Sequence, residues 1–208
     1  SVEATNITNS GEITTPTVKA NAEVTNAENA TIIATNGSET VGTNLTNAGT
    51  LSTKTITVTE NITNNGTLNA TTSVEATNIT NSGEITTPTV KANAELTNAE
   101  NATITATNGS VTVGTNLTND GTLSTKTIIV TQNITNAGSM NVATTNVGGN
   151  LTDNGTWNSD GIINFVGTND QSFDSNPITT YALINVEKSG GILTINDVLN
   201  VTNLQINS

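Results

Sequence analysis

Asn44-Leu45-Thr46-Asn47-Ala48-Gly49-Thr50-Leu51 is the stretch on which the reading of this chain turns. Close variants begin at Asn6, Asn61, Asn78, Asn116, Asn133 and Asn150, and looser ones at Glu23 and Glu95. The shared form is N-φ-T-N-x-G-x-φ, with φ aliphatic. Aligned on the Thr-Asn dipeptide, its second Asn falls at Asn9, Asn26, Asn47, Asn64, Asn81, Asn98, Asn119 and Asn136, with Asp153 ninth. The steps are 17, 21, 17, 17, 17, 21, 17 and 17 residues. The Thr before it is present every time, and the residue before that is always Ile, Val or Leu.

A longer period lies over this one. Residues 1–72 and 73–144 align without a gap and differ at 11 positions, among them Val24/Leu96, Glu39/Val111, Ala48/Asp120 and Leu68/Met140. Each 72-residue unit therefore holds three coils of 17 residues and one of 21. Three segments follow: repeat unit 1 over 1–72, repeat unit 2 over 73–144, and a divergent part over 145–208 that continues the coils in a wider form as a cap or an assembly end.

The local pattern is that of strands. Thr55-Ile56-Thr57-Val58-Thr59 alternates with period two, and no window carries the i, i+3, i+4, i+7 spacing of a helix. A 17-residue period is too short for a helix-containing repeat but fits two or three short strands with tight turns. The sequence therefore predicts an all-β fold, a right-handed parallel β-helix (β-solenoid), the hand following the chirality of parallel crossovers. Coils stack about 4.8 Å apart, so nine of them predict a rod of about 43 Å. Aliphatics form internal rows, and the invariant Asn forms an internal ladder that passes hydrogen bonds between coils. Gly11, Gly49, Gly66, Gly83, Gly121, Gly138 and Gly155 mark a turn and are expected to adopt positive φ. The four extra residues of the 21-residue coils are expected in one bulge each, at Asn36-Gly37-Ser38 and Asn108-Gly109-Ser110.

Composition bounds the chemistry. The 208 residues include 46 Thr and 35 Asn, which a coil stack can place regularly on pleated faces and in turns. There is no Cys and no His, which removes thiolate chemistry, imidazole ligands and histidine acid/base catalysis. A net charge of −12 with five Lys and no Arg argues against nucleic acid and against anionic membrane surfaces. No apolar run approaches the roughly 18 residues of a membrane-spanning helix, and no stretch of the 208 residues reads as a signal-peptide pattern. The chain opens at Ser1 in mid-pattern, and is expected to be a mature product or a piece of something longer.

The four aromatics, Trp157, Phe165, Phe173 and Tyr181, all lie after the repeats. Gly161–Val166, Tyr181–Val186 and Ile192–Ile195 read as strands there, separated by turns at Gly167–Asp170, Ser175–Pro177 and Ser189–Gly191. Together, the NLTNxGTL coils and this final segment carry two resemblances. The coils resemble the repeats of filamentous-haemagglutinin-like adhesins and autotransporter passenger domains. The final segment looks like a module of giant bacterial surface proteins, in which F-x-G-x-x-x-Q precedes an aromatic strand and an S-G-G turn; here these are Phe165, Gly167, Gln171, Tyr181, Ser189, Gly190 and Gly191. Both resemblances imply an exported β-helix, on a bacterial surface or outside the cell, serving as a stalk, adhesin or fibre.

No catalytic constellation is legible, and the chain is expected not to be an enzyme. Glu12/Glu84, Glu23/Glu95 and Glu28/Glu100 recur in both units as structural or surface positions. Asp153 and Asp160 are candidate calcium ligands, because hard cations take carboxylate and carbonyl oxygen; no other cofactor is implied. Lys19, Lys54, Lys91 and Lys126 read as surface residues, and Asn36 and Asn108 as exposed glycosylation sequons. The expected function is a rigid extracellular rod, with further solenoid of the same chain or other copies of itself stacked end to end. One alternative is binding or cleavage of carbohydrate, including host or matrix glycans, at the aromatics. The other is ice binding by Thr arrays such as Thr53, Thr55, Thr57 and Thr59.

Overall fold

The structure, a computed structural model, describes residues 1–158 and 160–207. Strands fall where alternating aliphatic and Thr/Asn residues run, and every pairing between them is parallel. They form a β-solenoid with two sheets. One has eleven strands and contains each N-φ-T-N motif; the other has sixteen. The motif strand opens each coil, a first corner turns it into one segment of the broad sheet, and a second corner leads into another segment. In Thr50–Val58 and Thr122–Val130 the two segments run on as a single strand. A third corner returns the chain to the next motif. The ten spacings of about 4.8 Å between the eleven strands of the motif sheet give a rod of about 48 Å from first strand to last.

Period-two alternation decides what faces inward. In Asn44–Asn47, Leu45 and Asn47 are buried while Thr46 is exposed. The pairing register stacks like on like, so Leu45 sits against Val24 and Ile62, and Leu51 against Ile32 and Leu68. These rows form one continuous apolar core along the rod.

The extra residues of the 21-residue coils are shared between two corners rather than gathered in one bulge. Asn26 lies five residues before Thr31, whereas Asn9 lies three before Glu12, its counterpart in register. Ile33 lies six residues before Glu39, whereas Thr14 lies four before Val18. Each corner thus takes two residues, and the second unit repeats the arrangement. Both enlarged corners turn through a left-handed Asn: Asn29 and Asn36, then Asn101 and Asn108, with φ between 55° and 64°.

The motif glycines are required for another reason than the one expected. None of them has positive φ; among the described residues the glycines that do are Gly167 and Gly191. A Cβ on Gly66 would instead lie 2.1 Å from the carbonyl oxygen of Gly49 in the preceding coil, and one on Gly83 2.1 Å from that of Gly66. Stacked corners approach so closely that only a hydrogen fits.

Beyond Asn150 the repeat in the motif sheet lengthens. Leu151 pairs with Phe173, and Phe173 with Ile195, each 22 residues on. Gln171–Asp174 is a strand that the turn-rich sequence around it concealed. The aromatics enter the aliphatic rows: Trp157 stacks on Met140, Phe165 on Val147, and Phe173 takes the motif's φ position after Leu151.

Gly66→Ala is expected to destabilise the chain by about 1–3 kcal/mol, the usual cost of overpacking. Gly11→Ala, where nothing lies within 4 Å of the added Cβ, is expected to change stability by less than about 0.5 kcal/mol. Urea melts of the two variants check the contrast; equal losses would discard the close-approach account.

Candidate functional site: an amide ladder closed by a carboxylate

The most ordered polar constellation is the internal ladder. Asn26, Asn47, Asn64, Asn81, Asn98, Asn119 and Asn136 are fully buried, and Asn9 nearly so. Each donates one Nδ2 proton to the Oδ1 of the next coil's Asn, at 2.8 to 2.9 Å from Asn9 through to Asn136. The second proton goes to a main-chain carbonyl of the next coil, such as Thr31, Thr67 or Glu84. Every side-chain amide dipole therefore points the same way along the rod.

The ladder ends on Asp153, the ninth position. Asn136 Nδ2 donates to Asp153 Oδ1 at 2.7 Å, the Gly155 N–H donates to the same oxygen at 3.2 Å, and the Tyr181 hydroxyl donates to Oδ2 at 2.6 Å. A carboxylate only accepts hydrogen bonds, so it is suited to stand where donation stops. Its negative charge also meets the positive end of the aligned amides, as an anion does at a helix N-terminus. Burial, and then the hydrogen bond to Asp153, push the Tyr181 hydroxyl far above its usual titration range. Phe165, Phe173 and Tyr181 pack in sequence beside this end, with ring centroids 5.4 and 5.3 Å apart.

Two expected sites dissolve into this arrangement. Asp153 is buried with both oxygens occupied, while Asp160 is exposed, so they do not form a calcium site. Among the described residues no group of three or more carboxylates is placed to hold a metal ion. Trp157, Phe165, Phe173 and Tyr181 are all buried, so they offer no open aromatic face to a sugar ring. Thr53 likewise turns inward and donates to the Gly37 carbonyl, which breaks the expected run of outward Thr from 53 to 59.

The outer surface has its own order. Thr8, Thr25, Thr46, Thr63, Thr80, Thr97, Thr118, Thr135 and Thr152 stand in unbroken register on the outside of the motif sheet. Beside them runs a second Asn row, in which Asn61 donates to Asn44 at 2.8 Å and Asn78 to Asn61 at 2.9 Å, opposite in direction to the buried ladder. Lys19 pairs with Glu3 and Lys91 with Glu75, each at 2.6 Å and well exposed. Shallow clefts lie at the second corner of each unit, around Asn36 and Lys54 and around Asn108 and Lys126.

Sequence reasoning passed over one residue. Glu39 is fully buried in the broad sheet, neither of its oxygens has a hydrogen-bond partner, and burial pushes its carboxyl up to about 8. The available signal was its replacement by Val111 in the second unit.

The chain matches no family model, no curated protein and no solved structure. No helix among the described residues is long and apolar enough to cross a membrane.

Tyr181→Phe is expected to cost about 1–3 kcal/mol, because it strips a donor from a buried acceptor. In an Asp153→Asn background the same change is expected to cost less than about 1 kcal/mol, since a neutral amide needs that donor less. Fluorescence of Trp157, the only tryptophan, reports unfolding of this region.

Proposed function

We propose that the chain is a load-bearing rod of a bacterial cell-surface or secreted structural protein: a stalk, an adhesin shaft or a fibre segment. The observation that carries this reading is the unbroken ladder, in which eight successive coils are joined to the next by a buried side-chain hydrogen bond as well as by backbone pairing. A fold built this way resists bending at every step, and its stability is largely a sum over nearest neighbours. The resemblance of the motif to adhesin repeats supports the location. The strands Ile7–Asn9 and Leu193–Ile195 each have a pairing neighbour on one side only. They suit stacking against further coils of a longer chain or against another copy.

Protease shaving of intact source cells, or proteomics of their medium, tests the placement. The protein is expected in the shaved or secreted fraction; recovery only after lysis overturns the reading. Electron microscopy of the purified chain is expected to show straight rods of about 48 Å or multiples of it, and compact particles would count against the shaft.

A second reading rests on the outward Thr row. Nine hydroxyl and methyl groups at about 4.8 Å spacing form a regular array able to order water, and ice binding is the activity it suggests. Thermal hysteresis and ice-crystal shaping should then appear in the wild type and fall sharply in Thr63→Lys; no hysteresis at millimolar protein removes this reading.

A further inference from the structure

Two carboxyl groups are buried among the described residues, and they are treated oppositely. Asp153 has its oxygens filled by Asn136, Gly155 and Tyr181. Glu39 occupies an aliphatic row that reads, coil by coil, Val2, Val18, Glu39, Ile56, Val74, Val90, Val111 and Ile128. Both of its oxygens are unpartnered. The strands flanking it in the sheet, Val18–Ala20 and Thr50–Val58, carry one charged group each, Lys19 and Lys54, and both are exposed. Lys19 is already engaged by Glu3. Of the other strands of these coils, Ile7–Asn9, Val24–Asn26, Thr31–Ala34 and Asn44–Asn47 contain no titratable side chain, and Glu12–Thr15 carries only Glu12, which is exposed. Nothing inside the rod can therefore balance a charge at this position, and an isolated buried charge is strongly unfavourable.

We propose that Glu39 is a pH-gated release point built into repeat unit 1: the coil that carries it stays closed while its carboxyl is protonated and opens locally once that proton is lost. Opening frees the edges of the Val18–Ala20 and Thr50–Val58 strands that the Ser38–Val41 strand otherwise covers. The corresponding coil of unit 2, with Val111 in that place, stays closed and is the internal control. The sign follows from linkage. The closed coil holds the proton up to about pH 8, whereas the opened coil releases it near the ordinary value of 4.5. Between those limits opening sheds a proton, so it becomes more favourable as pH rises. The release point acts wherever the rod is displayed, and so stands apart from the surface role.

Hydrogen exchange with mass spectrometry on the whole chain, from pH 5 to 8 and corrected for the intrinsic pH dependence of exchange, tests it. Peptides spanning 31–41 and 103–113 differ at Ile33/Thr105 and Glu39/Val111, so their masses separate the two units. The opening constant of the first relative to the second is expected to rise about tenfold per pH unit, the limit for one released proton. Glu39→Gln is expected to abolish the rise, and Val111→Glu to transfer it to unit 2. Equal pH dependence of the two peptides in the wild type, or a rise that survives Glu39→Gln, overturns the proposal. If Glu39→Gln fails to fold, the wild-type comparison and Val111→Glu still decide it.

Discussion

Coils only about 4.8 Å apart leave an interior side chain one neighbour above and one below, and the buried Asn is the residue type that serves both. Its carbonyl accepts from the preceding coil, and its two protons go to the following one. An unpaired buried amide costs roughly 1–3 kcal/mol, so no ladder position can be lost without penalising its neighbours. A carboxylate has no proton to hand on. Asp153 is consequently tolerated where donation ends, with Tyr181 donating to it from the other side.

The same spacing governs the corners. Where the backbone of one coil runs over that of the next, a methyl group would meet a carbonyl oxygen, and glycine is selected by crowding rather than by dihedral angle. The 21-residue coils pass the corner differently, with left-handed Asn29 and Asn101 and two extra residues. Because the insertion is split between two corners, the strands on either side stay in register. The stack absorbs the change without breaking the Asn or aliphatic rows.

Past the repeats the interior needs more volume. Coils of 22 residues enclose a wider core, and Trp157, Phe165, Phe173 and Tyr181 fill it in positions held elsewhere by Leu, Met, Ile and Val. Burial disqualifies these rings as a binding groove and makes them packing for the ladder's end. Gln171 holds the opposite corner, before the motif strand, donating to the carbonyls of Val147 and Gly149 while accepting from Lys188. Among the described residues Glu39 is the buried carboxyl left without a partner, as the Thr145 hydroxyl and the Trp157 indole N–H are also left unmatched, and the isolation of Glu39 is what gives it a use.

The 17- and 21-residue spacing determined the parallel coil stack, the inward φ and Asn rows and the duplicated unit, because a side-chain period of two and a fixed coil length leave few alternatives. Only the tertiary structure decided how neighbouring coils meet. The crowding at Gly66, the division of the inserted residues, the closure of the ladder by Tyr181 on Asp153, and the burial of Glu39 without a partner all depend on contacts between residues 17 to 28 positions apart. A local pattern records which face a residue takes; it does not record what stands opposite, and that is where the chemistry of this chain lies.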